Sequence, residues 1–194
     1  MTADRFAILA VCTANICRSP MMEVLLRERL DPALFEVASA GVRGRVGQPM
    51  DAMSEMELMR MGTSAGSFRS HPLDDYLIAS ADLIVTATRA HRSRVLEDEP
   101  RALRKTFTLR EFSALCGSAP EGLHGTALVA DVAARRQDFR GDPDVADPYR
   151  RSPKVHRATA DQIAAAVDAI VARLPALAKI AQADKVVKFL FSSY

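Results

Sequence analysis

Short apolar runs alternate along the chain with stretches of helical periodicity. Phe6 to Val11 is unbroken in apolarity, as a strand covered on both faces should be. Phe35 to Ala40, Asp82 to Thr86 and Lys105 to Leu109 are further strand candidates. Helices are predicted over Pro20 to Leu30, from an Asp51 N-cap to Met61, over Leu73 to Ala81 and over His91 to Leu96. Arg157 to Leu174 carries an apolar stripe at Ile163, Val167, Ile170, Val171 and Leu174, and Pro175 interrupts it. This alternation is the pattern of βαβ units, and it predicts an α/β fold around a parallel sheet.

Two stretches depart from the alternation. Residues 117–146 are rich in Gly, Pro, Asp and Ala, with one short helix expected near Ala127 to Phe139. Residues 175–194 form a tail ending in VVKFLFSSY, apolar enough to need a surface to lie on. The expected organisation is one domain over 1–174, with an insertion at about 117–146, and a helical tail that offers a surface for a homodimer.

Composition narrows the class. The chain has 194 residues, 48% of them hydrophobic, which suits a packed core. Its net charge of +2 lacks the basic excess of a dedicated nucleic-acid binder. No run of about 18 to 20 apolar residues is present to span a membrane. Three cysteines, Cys12, Cys17 and Cys116, do not make a secreted disulfide framework, so a cytoplasmic location is expected. Neither they nor the histidines have metal-ligand spacing, and no metal or other cofactor is expected.

The chemistry concentrates in Val11 to Pro20, VCTANICRSP, between the first strand and the first helix. A loop there turns consecutive backbone N–H groups and a helix N-terminus toward one point, which suits a phosphate-sized dianion. Cys12 opens the loop among donors that favour a thiolate. Arg18 offers a planar fork for two phosphoryl oxygens, and Ser19 can donate a hydrogen bond to the sulfur. The C-x5-R spacing alone is weak in a chain with 21 Arg. Context strengthens it, because Asn15 is the only Asn in the chain and Asn tolerates left-handed backbone geometry.

VCTANICRSP resembles the signature of the low-molecular-weight protein tyrosine phosphatases, V-C-x-G-N-I-C-R-S-P. Ser39-Ala40-Gly41 with Gly47, Pro49 and Asp51, the segment Ala81 to Leu96, and Asp147-Pro148-Tyr149 resemble that family's later motifs in the same order. Together these motifs cover about residues 5 to 110 and 145 to 174. The resemblance implies a three-layer sandwich whose central four-stranded parallel sheet has strand order 2-1-3-4, with helices on both faces. It implies hydrolysis of phosphotyrosine on protein substrates. Cys12 is then the nucleophile that becomes a phosphocysteine, Arg18 the phosphoryl clamp and Asp147 the general acid. Thr13, Ala14, Asn15, Ile16, Cys17 and Arg18 line the phosphate cradle, and Asn15, Ser19 and Ser39 brace it. Arg45, Val46 and Tyr149 are implied at the substrate rim. Cys17 is either a buried loop residue or a redox partner that traps oxidised Cys12. The detail is closest to bacterial members acting on tyrosine autokinases and polysaccharide-biosynthesis proteins.

Several departures carry expectations of their own. Ala14 stands where the family has Gly, and a positive φ there would cost about 1 kcal/mol. Phe68 aligns with a family His in the bracing network, leaving His71 three residues away. Asp142-Pro143 duplicates the Asp-Pro pair of Asp147 without the following aromatic. Two other readings stay open: an arsenate reductase-like thiol enzyme, which would need two further cysteines downstream, and a weakly active phosphate-binding regulator. His91, His124 and His156 are expected to be surface or capping residues, and the Met-rich helix core packing.

Overall fold

Strand β1 (Phe6–Cys12) is the centre of the molecule, as its uninterrupted apolarity requires. In the computed structural model, which describes residues 5–174, it pairs in parallel with β2 (Phe35–Gly41) on one side and β3 (Leu83–Thr86) on the other. β4 (Thr106–Thr108) extends the sheet beyond β3, giving the order β2-β1-β3-β4 that the resemblance implied. Alternate residues of β1 serve two cores. Phe6, Ile8, Ala10 and Cys12 point into the larger one, Leu9 and Val11 into the smaller.

The larger core is covered by α1 (Arg18–Arg29), α5 (Leu109–Gly117), α6 (Gly125–Ala134) and α7 (Pro153–Val171), with α2 (Ala52–Arg60) packed on α7. The smaller core lies under α3 (Asp75–Ser80), α4 (Arg89–Asp98) and a 3₁₀ turn at Pro100–Lys105. Helix starts follow side-chain chemistry. Asp51 accepts from the Ser54 amide, Asp74 from Leu77 and Thr88 from His91, and Thr108 with Glu111 forms a capping box on α5.

Some boundaries differ from expectation. The fourth strand shrinks to three residues because Thr108 caps α5, a helix the apolar pattern had not separated from the strand before it. The segment 117–146 contains a helix that starts at Gly125 and places Leu128, Val129 and Val132 in the larger core. Only Met50 of the Met-rich stretch is buried, while Met56 and Met59 are exposed, because α2 turns Ser54, Glu57 and Leu58 inward instead. The expected tail over 175–194 lies outside the described residues.

The sheet order sets where a ligand goes. β1 leads through α1 to β2 on one side, and the chain then crosses to β3 on the other, so a crevice opens beyond the carboxyl end of β1. Cys12 ends β1 at that point, in register with Gly41 at the end of β2. A Cβ on Gly41 would lie 2.8 Å from the Thr13 carbonyl oxygen and 2.9 Å from the Asn15 nitrogen. The loop after β1 is therefore seated directly on the glycine. Gly41→Ala is expected to lower unfolding stability by about 1–3 kcal/mol and to weaken inorganic phosphate binding, measured by urea denaturation and by calorimetric titration.

Candidate active site

The loop from Thr13 to Cys17 joins β1 to α1 without regular structure. Among the described residues, no acceptor meets the backbone N–H groups of residues 13 to 18. α1 also starts with no capping side chain and no acidic residue in its first turn. A helix beginning this way presents its orphan donors and positive dipole end to the crevice, where an anion is favoured.

Asn15 sets the loop's path. Its φ of 55° is left-handed, and it is fully buried. Its Nδ2 donates to Ser19 Oγ at 2.9 Å and Ser39 Oγ at 2.7 Å, while its Oδ1 accepts from the His71 amide at 2.8 Å. Both amide hydrogens and the carbonyl are thus satisfied. Ser19, already an acceptor from Asn15, keeps one O–H, for which Cys12 Sγ at 2.9 Å is the nearer partner and the Ala40 carbonyl at 3.4 Å the farther. Ser39 likewise donates to the Glu23 carboxylate, which pairs with Arg27 at 2.6 Å. Burial pushes the Glu23 carboxyl above its ordinary range, against the opposing pull of Ser39 and Arg27.

Two departures resolve here. Asn15, not Ala14, holds the left-handed position in the loop, so Ala14 carries no positive-φ penalty. His71, not Phe68, meets the bracing network, through its backbone amide, and Phe68 packs partly buried against the larger core.

Arg18 is buried, with Nη1 donating to the Val145 carbonyl at 3.1 Å and Nη2 paired with Asp147 Oδ2 at 3.0 Å. Its Nε is buried and meets no acceptor among the described residues. The guanidinium therefore still has donor capacity in the crevice. Asp147 is about half exposed, and its Oδ1 accepts from the Tyr149 amide at 3.2 Å. Cys12, Thr13, Ala14, Ile16, Cys17, Arg18, Arg45, Asp147 and Tyr149 all line one cleft of ≈ 610 Å³. Asn15, Ser19 and Ser39 lie behind it, and Val46, 73% exposed, lines the neighbouring hollow. Asp142 is not part of the cleft and faces Arg110 at 3.5 Å.

Cys17 is buried, and desolvation pushes its thiol up to about 12, despite a hydrogen bond with Ser54. It and Cys12 are both free thiols. Burial also pushes the Cys116 thiol up to about 11, as fits a small packing residue. Among the described residues no cluster of three or more His, Cys, Asp or Glu side chains is arranged to hold a metal ion.

The comparisons with known proteins bear on this geometry. A sequence profile of the family described as "Low molecular weight phosphotyrosine protein phosphatase" matches residues 7–122. The chain belongs to this family. It is 32% identical over 169 residues to a protein-arginine-phosphatase of Geobacillus stearothermophilus, covering 87% of this chain and 96% of the relative. It is 29% identical over 170 residues to a probable low molecular weight protein-tyrosine-phosphatase EpsP of Ralstonia nicotianae, covering 88% and 97%. The solved structure of the YwlE arginine phosphatase from Geobacillus stearothermophilus superposes with a TM-score of 0.68 at 28% identity, covering 97% of each chain.

One residue of the site escaped sequence reasoning. His91 is buried, its Nε2 lying 2.8 Å from Thr13 Oγ1 and its Nδ1 2.8 Å from Thr88 Oγ1. Thr13 Oγ1 also accepts from Arg18 Nη2 at 3.4 Å. Burial first, and then the Arg18 charge, lower the His91 pKa to about 4, so this ring is neutral around Arg18 near pH 7. The sequence held a signal, since the helix after β3 must begin beside the end of β1 in a 2-1-3-4 sheet. His156 is buried as well, 3.4 Å from Ser54, rather than on the surface.

The His91 shift has a thermodynamic consequence. In the unfolded chain His91 takes up its proton near pH 6.5, but in the folded protein only near pH 4. Between those values the unfolded state binds more protons, so this residue makes stability fall as pH drops from 6.5 toward 4. His91→Gln is expected to flatten that part of the stability profile, read by urea unfolding at pH 4.5, 5.5 and 7. The same substitution, by loosening Thr13, should weaken competitive inhibition by phosphate severalfold.

Proposed function

We propose that the protein hydrolyses phosphotyrosine on protein substrates through a phosphocysteine. The observation that supports this best is Cys12 Sγ, held by Ser19 beside one buried guanidinium and six backbone amides that have no acceptor among the described residues. A dianionic phosphoryl group fits that donor set. Its arrival would compete with Asp147 for Arg18 and release the carboxyl group toward the leaving oxygen.

The chemistry then follows in two steps. The Cys12 thiolate attacks phosphorus, forming the S–P bond as the P–O bond to the phenol breaks, and Asp147 gives its proton to the departing oxygen. The amides of residues 13 to 18, with Arg18, hold the equatorial oxygens where charge develops. Asp147 next takes a proton from water, which attacks phosphorus. The S–P bond breaks with its electron pair returning to sulfur, inorganic phosphate leaves, and the Ser19 hydroxyl donates a hydrogen bond to the regenerated thiolate. Pro49, Met50 and the exposed ring of Tyr149 supply apolar wall for a substrate phenyl ring.

A second reading is favoured by the arginine phosphatase of Geobacillus stearothermophilus: the same cradle would accept a phosphoryl group leaving from a guanidinium nitrogen. Arsenate reduction is not favoured, because the described chain downstream of the loop brings no thiol but Cys116, which faces the larger core.

The test is steady-state hydrolysis with EDTA present. p-Nitrophenyl phosphate should turn over, Cys12→Ser should abolish turnover, and Asp147→Ala should lower kcat by roughly 10²–10³-fold. Phosphotyrosyl and phosphoarginyl peptides of equal sequence, assayed side by side, decide the substrate. A kcat/KM higher for phosphoarginine would overturn the tyrosine assignment and retain the nucleophile. No turnover of any of the three would leave a phosphate-binding regulator.

A further inference from the structure

Among the described residues, three arginines at the cleft have no partner for their charge. Arg43, Arg45 and Arg150 are exposed, line the cleft with Cys12, and form no ion pair among the described residues. The two carboxylates of the cleft are already engaged. Asp147 pairs with Arg18 at 3.0 Å, and Asp51 caps α2 by accepting from the Ser54 amide at 3.1 Å.

The roots of these long side chains are fixed. Arg43 donates its backbone N–H to the Thr13 carbonyl at 2.8 Å, which ties it to the phosphate loop itself. The Arg45 carbonyl accepts from the Ser70 hydroxyl. Arg150 has a left-handed φ of 59°, and its guanidinium sits over the Tyr149 ring at 5.2 Å from the centroid. The cations thus approach from two separate segments of the chain, residues 43–45 and residue 150, which both line the cleft with Cys12. The phosphoryl dianion needs only Arg18 and the loop amides. The outer guanidinium groups are left facing whatever flanks the phosphorylated residue.

We propose that this rim selects phosphoproteins with Asp or Glu within two or three positions of the phosphorylated residue. The selection rests on the phosphatase reading above and adds a substrate class to it. Opposite charges around a cleft raise encounter rates and lose force as salt screens them. The preference is therefore expressed in kcat/KM and depends on ionic strength.

The experiment compares peptides with one phosphorylated residue flanked by Asp and Glu, by Ala, or by Lys. At low salt the acidic peptide is expected to exceed the lysine peptide by about tenfold in kcat/KM, from two or three exposed pairs. In 0.5 M NaCl the ratio should shrink toward unity. The double substitution Arg43→Glu with Arg45→Glu should reverse the order, and Arg150→Glu alone, on the other segment, should reduce the ratio if the double variant does not fold. Equal rates for the three peptides, or a preference unchanged in both variants, would overturn the proposal. p-Nitrophenyl phosphate has no flanks, so its turnover by the unsubstituted protein separates the two levels. Turnover with flank indifference defeats the rim selection alone, whereas absence of turnover of this substrate and of every peptide defeats the phosphatase reading beneath it.

Discussion

The side chain of Asn15 is the constraint on which the site depends. A buried carboxamide left unsatisfied costs about 1–3 kcal/mol, and this one is satisfied only when Ser19, Ser39 and the backbone of residue 71 are all in place. Those groups come from α1, from β2 and from the loop before α3. One amide thereby couples three parts of the chain to a single backbone conformation. The left-handed φ at Asn15 is the local cost of that coupling.

Much of this was legible in the sequence, for identifiable reasons. β1 and α1 announced themselves because a double-sided core demands continuous apolarity and because Pro20 suits a first helical turn. The loop between them was legible because its residue types have few other reasons to occur together. α5 was not legible, since a three-residue strand running straight into a capping Thr leaves no polar break to read. His91 was missed for a different reason. Its importance comes from a contact across 78 positions with Thr13, and nothing local separates such a His from an ordinary residue near a helix start. The concern over Ala14 came from a family letter rather than from backbone geometry, and the left-handed residue was its neighbour.

Charge in the site is arranged in two layers. The inner layer is closed on itself: Arg18 is paired and surrounded by the neutral groups of Thr13 and His91. Neutral His91 braces the cradle without adding a second cation beside Arg18, and its low proton affinity is itself a product of that burial. The outer layer faces water, where single charges are weak and act together only through their number. On the proposed reading, binding the phosphoryl group and reading its surroundings fall to different residues in different dielectric environments.

The segment before Asp147 is stitched to the end of β3. Val145 donates to the Ala87 carbonyl at 2.8 Å, and Asp144 accepts from the Arg89 amide at 2.8 Å. Whatever path the backbone takes between α5 and Pro143, it must return to the segment following β3 at these two anchors before presenting the carboxylate. Lengthening or shortening that excursion therefore leaves the acid's address unchanged. The architecture separates a region free to acquire new surface from the anchored approach to the Asp147 carboxylate, although only a few residues lie between them.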